Sequence, residues 1–92
     1  MSEQTGRVIY RFEVPVDDQW HEHHFAGDVL HVASRTHGVV EFWAIHRPAV
    51  NRAHRLRAYG TGHSLPKAPE VDYVGTALDG LLVWHLMEDR RG

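Results

Sequence analysis

Residues 59–66, with the sequence YGTGHSLP, place two glycines, a threonine and a histidine close together. Consecutive backbone N–H groups in such a stretch can form a nest that binds an anion. A histidine and neighbouring arginines can add charge-assisted hydrogen bonds to a phosphate. The candidate ligand-binding residues are therefore Arg55, Arg57, Gly60, Thr61, Gly62 and His63.

The same stretch has a simpler interpretation as a turn. It lacks both the GK[ST] ending and the following helix of a Walker phosphate-binding loop. Glycines also supply positive φ where a strand ends and the chain changes direction. We therefore predict a corner, and we keep the binding of a small anionic ligand, such as a phosphate or a nucleotide, as the alternative.

The run HEHH at residues 21–24 is the second group that could do chemistry. On a strand, His21 and His23 point to the same side, and His31 could supply a third metal ligand from a neighbouring strand. The alternative, which we favour, is a solvated edge strand whose polar side chains discourage aggregation. The three histidines stay a less favoured metal-binding candidate, and we predict no cofactor.

Residue types that occur in active sites are present, but they do not form a recognisable catalytic set. No serine lies in a nucleophile elbow, and His85 fits a hydrogen-bonded structural role. Glu41 lies between Val40 and Phe42 in an apolar strand, where burial would raise its pKa unless it pairs with an arginine across the sheet. We predict a non-enzymatic protein with no catalytic residues.

The composition favours a single domain without disulfide bonds. The chain has 92 residues, of which 42% are hydrophobic, and it contains no cysteine. Its formal net charge of −2 gives no basic surface for nucleic acid. It shows neither a signal peptide nor an apolar run long enough to cross a membrane, so we expect a cytoplasmic protein. Three tryptophans are many for such a small core, and Trp20 and Trp43 are candidates for a partner or self-association surface.

Runs of β-prone residues recur along the chain with turns between them, and no segment has a long helical period. Val8, Tyr10, Phe12 and Val14 share one face of the first run. Further strands are predicted in WHEHHF, DVLHVASR, VVEFWAIHRP, HRLRAY, VDYVGTAL and LLVWHLME. Gly38 and a type I′ pair formed by Asp79 and Gly80 are predicted to close two hairpins.

This pattern predicts an all-β fold. We expect a single small antiparallel sandwich or barrel-like domain of about six to seven short strands. The predicted domain covers residues 7–88, between flexible ends at residues 1–6 and 89–92.

The order and spacing of four segments resemble a known family. The segments are VIYRFEVPVDD, VLHVASRTHGVVEFWAIHRP, RLRAYGTGHSLP and YVGTALDGLLVWHLME, and their most specific parts are GTGH, YVGT and VWH. They resemble DUF7352, a family of small uncharacterised proteins from phages and bacterial genomes, to whose pattern HEHH does not belong. The resemblance implies a compact all-β accessory protein, and it implies no activity, cofactor or catalytic residue.

Small size, the absence of a legible catalytic set and this resemblance together suggest a phage- or prophage-type accessory protein that acts through protein contacts in the host cytoplasm. Its expected partners are a host protein or a second copy of the chain in a homodimer. Sequestration of a small phosphate or nucleotide ligand at the GTGH stretch is the alternative, followed by metal binding through histidines.

Overall fold

The computed structural model describes residues 6–65 and 71–90 of the chain. These residues form six strands and no helix, which confirms the predicted all-β fold. Every pair of neighbouring strands is antiparallel. The strands are β1 (Val8–Pro15), β2 (His21–Thr36), β3 (Val39–His46), β4 (Arg52–Gly60), β5 (Val71–Asp79) and β6 (Leu82–Asp89).

The long strand β2 connects the two halves of the sheet, whose strand order is β1-β3-β2-β4-β6-β5. The first part of β2 pairs with β4, and from Ala26 onward β2 pairs with β3 instead. The pairing with β3 shifts register between Ala26 and His31, which marks an irregular corner. Two separate strands were predicted here. The structure has one bent strand, because a strand can change sheets at a bulged corner without ending.

The two halves of the sheet pack face to face around one apolar core. Strand β5 contacts β2 without pairing to it, so the end of the sheet folds back over its middle. Alternate residues of the central strand β3, namely Val40, Phe42 and Ala44, are buried in the core. The other buried core residues are Val14, Phe25, Leu56, Ala58, Ala77 and Leu86.

Strand β1 is covered only along part of its length. Val14, near its end, is fully buried, whereas Val8 and Tyr10 on the same face are each 47% exposed. Ile9, on the opposite face, is 61% exposed. The facing half of the sheet therefore covers the end of β1 and leaves its beginning open.

The turn between β5 and β6 lies one residue later than predicted. Asp79 pairs with Leu82, so the two turn residues are Gly80 and Leu81. Only Gly80 has positive φ, at 60°, which is typical of a type II′ turn rather than the predicted type I′. Asp79 stays in the strand, where its carboxylate accepts a hydrogen bond from the N–H of Gly38 at 3.1 Å. This bond ties the β5–β6 hairpin to the β2–β3 hairpin.

The predicted flexible ends, residues 1–6 and 89–92, lie mostly outside the described residues. Asp89 is the last residue of β6, and its buried carboxylate lies 3.1 Å from the guanidinium of Arg55. Within the described ranges, no helix is long and apolar enough to cross a membrane.

Gly75 controls how closely β5 can approach β2. A Cβ atom at this position would lie 2.5 Å from Cγ2 of Val32, well inside contact distance. We expect Gly75→Ala to lower the free energy of unfolding by about 1–3 kcal/mol, because the two strands must separate or Val32 must move. Chemical denaturation measures this loss.

Val32→Ala provides the control for this prediction, since it removes the methyl group that an alanine at position 75 would meet. In that background Gly75→Ala should cost much less, which a double-mutant cycle detects. An equal cost in both backgrounds would show that the contact with Val32 is not the reason for the glycine.

Candidate functional site

Residues 60–63 form a tight turn at the end of β4. The N–H of His63 donates to the carbonyl oxygen of Gly60 at 3.0 Å, and Gly62 has a φ of 93°. Positive φ at the third position of such a turn is typical of type II and favours glycine. The predicted corner is therefore present in the structure.

The side chain of His63 folds back over the same turn. Its Nδ1 accepts a hydrogen bond from the backbone N–H of Gly60 at 3.1 Å, so this nitrogen carries no proton. The ring also occupies the space where a Cβ at Gly60 would lie, at 3.0–3.3 Å. One of the three N–H groups of the predicted anion nest is thus already engaged within the chain.

The two arginines of the predicted ligand site point to other partners. Arg55 approaches Asp89 and lies over the indole of Trp20, with its guanidinium carbon 5.9 Å from the ring centroid. Arg57 lies over the ring of Tyr59 at 4.6 Å and 3.8 Å from the carboxylate of Asp18. The structure brings the four loop residues together, and neither arginine lines the cleft beside them.

A cleft of about 290 Å³ lies between the turn and the outer face of β4, β6 and β5. It is near the lower limit of small-molecule sites in size. The described part of its wall includes no arginine, lysine or carboxylate group, and most of that surface is apolar or aromatic. The lining residues are Tyr59, Gly60, Thr61, Gly62, His63, Leu65, Tyr73, His85 and Met87.

The polar groups of this cleft form a hydrogen-bonded chain. Nε2 of His85 lies 2.9 Å from the hydroxyl of Thr61, and its Nδ1 lies 3.3 Å from the hydroxyl of Thr76. The Thr76 hydroxyl is in turn 2.6 Å from that of Tyr73. Both ring nitrogens of His85 are engaged in this chain, which fits the structural role predicted for this residue.

The sequence pattern predicts the loop but not the aromatic side chains that lie beneath it. Tyr59, His85 and Met87 lie on the outer face because β4 and β6 pair in a register that aligns Tyr59 with His85. Alternation along YGTGH and VWHLME could have placed each residue on a face. The pairing of β4 with β6, however, joins segments that are distant in the chain, and alternation within each segment does not predict it.

The three candidate metal-binding histidines have separate environments. His21 contacts the carboxylate of Asp17 at 2.8 Å, and His31 packs against the indole of Trp43. His23 lies edge-on against the rings of two core phenylalanines, and its burial lowers its pKa. Among residues 6–65 and 71–90, no group of three or more histidine, aspartate or glutamate side chains is placed to hold a metal ion.

Glu41 is a buried carboxylate held between two arginines. Arg35 binds it through two nitrogens, at 2.8 and 3.1 Å, and Nη1 of Arg11 lies at 2.9 Å. These hydrogen bonds, led by those from Arg35, outweigh burial and lower the pKa of Glu41 to about 2. The expected rise of its pKa was therefore wrong, and the alternative of an arginine pair is correct.

The two candidate tryptophans are partly covered by neighbouring side chains. Trp20 lies under Arg55 and against the ring of Tyr59, while the guanidinium of Arg35 lies over Trp43. The large apolar side chains that are most exposed lie elsewhere, at the start of β1, at Leu30, Val50 and Leu65, and along the β5–β6 hairpin. They include Val8, Ile9, Tyr10, Tyr73, Leu78, Leu81 and Leu82.

The sheet has two open edges with different character. Strand β5 carries a register shift between Tyr73 and Gly75, and such bulges hinder pairing with another chain. Strand β1 pairs with β3 in one unbroken register along its whole length. Its outer edge is therefore regular, free of bulges and apolar at its start.

A family model of a domain of unknown function, DUF7352, matches residues 5–92. The chain therefore belongs to this family, as the motifs indicated. Neither the curated proteins nor the solved structures contain a match to it. The structure shows that the matched domain is a small all-β domain, and the description of the family assigns it no function.

The low pKa of Glu41 predicts a stability change in acid. Because the folded pKa lies below the ordinary value of 4.5, its contribution is complete above that value and is lost as the pH falls toward 2. The shift corresponds to an upper limit of roughly 3 kcal/mol, which solvent around the exposed Arg35 reduces. The difference in unfolding free energy between wild type and Glu41→Gln should shrink over this range.

Glu13→Gln is the matched control, since Glu13 also contacts Arg11 but is exposed. Its difference from wild type should stay small at every pH, because surface ion pairs contribute little. If the wild type and Glu41→Gln differ equally at pH 6 and pH 2, the charge of Glu41 does not stabilise the fold.

Proposed function

We propose that the protein is a non-enzymatic interaction module that acts through protein contacts, and that its contact surface is the open edge of β1. The observation that carries this proposal is the regular, unbroken register of an edge strand whose outer side has no partner strand within the described residues. Such an edge offers a row of backbone N–H and C=O groups to an added strand.

The features that normally prevent edge pairing are sparse in β1. Edge strands are commonly protected by lysines, bulges or inward-pointing charges. Strand β1 has no lysine and no bulge, and its only proline, Pro15, is its last residue. Its two charged residues, Arg11 and Glu13, point to the outer face, where they form an ion pair with each other. A strand added at this edge would therefore meet no buried charge.

The exposed apolar side chains at the start of β1 also favour this edge as the contact surface. Val8, Ile9 and Tyr10 are between 47% and 61% exposed and cover both faces of the strand. An added strand would cover these side chains as it satisfies the backbone, which combines apolar burial with hydrogen bonding.

The charged groups buried in the described part of the fold support a non-enzymatic protein. Glu41 is saturated by two arginines, and Asp89 pairs with Arg55. Both carboxylates serve the sheet itself. General acid–base catalysis instead needs a group whose pKa lies near the working pH.

A photo-crosslinking residue at position 9 tests the β1 surface. We expect covalent protein adducts from this position in an extract of cells that contain the protein, because Ile9 lies on the open edge. The same residue at position 78 is the matched control, since Leu78 is 68% exposed on the other edge strand. Mass spectrometry identifies the adducts, and an absence of adducts specific to position 9 would contradict the proposal.

A second candidate function is the binding of a small neutral molecule in the cleft beside residues 60–63. The hydroxyl of Tyr59 is buried, and no hydrogen-bond partner contacts it among residues 6–65 and 71–90. An unpartnered buried hydroxyl costs about 1–3 kcal/mol, which a bound hydrogen-bond acceptor would offset. Among the described residues the lining is uncharged and mostly apolar or aromatic, which favours a flat neutral ligand over a phosphate.

Quinoline, naphthalene and inorganic phosphate separate these ligand classes. Because only quinoline presents a neutral acceptor nitrogen on a flat ring, we expect it to bind more tightly than naphthalene, as measured by amide chemical shifts. Tyr59→Phe should fold at least as stably and should remove the preference for quinoline. Phosphate binding that is lost in His63→Ala would instead support an anion site at residues 60–63.

A further inference from the structure

The geometry of β1 points to a second copy of this chain as the partner: two protomers join their β1 edges, antiparallel, about a two-fold axis at Phe12. This inference rests on the proposed function and names its partner. It follows from three features of β1, which are the direction of its free backbone groups, its charge order and its apolar positions.

The backbone groups that face away from β3 belong to the odd-numbered residues. Among them, the carbonyl of Glu13 is also hydrogen-bonded to the side chain of His23, so it offers its second lone pair to an added strand. The N–H of Val16 donates to the carbonyl of Gly38, so Val16 faces β3. Because the direction alternates along an antiparallel strand, the even residues of β1 also bond to β3. The N–H groups of Ile9, Arg11 and Glu13 therefore point away from the sheet, together with the carbonyl of Pro15. Proline's missing N–H removes one donor at the end of the strand.

An added antiparallel copy must place odd residues opposite odd residues, since only the N–H and C=O groups of these residues face away from β3. A two-fold axis at Arg11 would put Arg11 opposite Arg11, and an axis at Glu13 would put the two glutamates together. Directly opposed like charges are unfavourable in a sheet. An axis at Phe12 instead places Arg11 opposite Glu13 of the second copy, twice by symmetry. The charge order is therefore self-complementary in this register.

The same register provides backbone hydrogen bonds along most of β1. Arg11 and the opposing Glu13 form a hydrogen-bonded pair, which symmetry repeats, and each Ile9 N–H meets the carbonyl of an opposing Pro15. This gives about six new backbone hydrogen bonds across the dimer axis. A C2 interface of this kind is isologous, since the same patch serves both protomers.

The apolar residues also match in this register. On the inner face, Tyr10 lies opposite Val14 and Phe12 opposite Phe12 of the second copy. On the outer face, the exposed Ile9 lies opposite Pro15. Cross-strand aromatic and β-branched pairs stabilise antiparallel sheets. The two six-stranded sheets would thereby become continuous, and the exposed start of each β1 would gain a neighbour.

The charges at positions 11 and 13 can be exchanged while Glu41 keeps an arginine beside it on β1. Glu13 lies directly opposite Glu41 in the register of β1 with β3, and Arg11 bridges both carboxylates. In Glu13→Arg the new guanidinium lies opposite Glu41, so the buried carboxylate keeps cationic neighbours although the net charge rises by two. The dimer register, however, then places arginine against arginine.

Light scattering coupled to size-exclusion chromatography tests the inference on the full chain. We expect wild type to have twice the mass of 10.6 kDa at tens of micromolar and to dissociate on dilution. Glu13→Arg should weaken the dimer by about tenfold or more. The doubly exchanged variant, Arg11→Glu with Glu13→Arg, should restore dimerisation because opposite charges again face each other.

Leu78→Arg is the matched control, because it adds a charge to the exposed edge of β5, and it should leave the mass unchanged. Circular dichroism and thermal unfolding of each variant confirm that its fold is intact. A monomeric wild type at about 1 mM, dissociation by Leu78→Arg, or an exchanged variant no better than Glu13→Arg would each overturn the inference.

The crosslinking experiment separates this inference from the broader proposal. Adducts from position 9 that contain two copies of this chain agree with both. Adducts with a different protein would support a contact surface at β1 and overturn the homodimer. If no adduct forms at position 9, both the surface and the dimer are excluded.

Discussion

The change of partner within β2 is the constraint on which the rest of the structure depends. Its first residues pair with β4, and after Ala26 the same strand pairs with β3. Because the backbone of one strand cannot follow two sheet directions without a bend, the corner turns a six-stranded sheet into two facing layers. The core between these layers exists only because β5 returns over β2 and brings Gly75 against Val32.

The same topology explains why charge is buried outside the core. Strand β3 lies between β1 and β2, so the outward-pointing Glu41 has an arginine on each side, Arg11 and Arg35. Two cations and several hydrogen bonds make ionisation of this carboxylate more favourable than in water, despite its burial. A buried ion pair of this kind depends on complete partnering, since removing one partner leaves an uncompensated charge. The outer face of the sheet therefore contains a specific ion-pair network, while the inner face packs in the apolar core.

The topology also leaves the two ends of the sheet unequal. At one end, β5 is bulged and lies against β6, while Thr61, Gly62, His63 and Leu65 line a cleft above the neighbouring face. At the other end, β1 pairs in an unbroken register and is apolar at its start. Regular open edges favour pairing with another strand, and bulged ones resist it. The protein is therefore better suited to contacts at β1 than at β5.

The sequence by itself determined the local features. Alternation placed Val40, Phe42 and Ala44 on one face of β3, and glycine marked the turns at Gly38 and Gly62, because a period of two and positive φ are local properties. The GTGH, YVGT and VWH motifs indicated the family. Only the tertiary structure decided that β2 is one bent strand, that Arg35 and Arg11 meet Glu41, and that Tyr59 and His85 share a cleft. These features depend on which strands pair and in what register, and pairing joins residues that are distant in the chain.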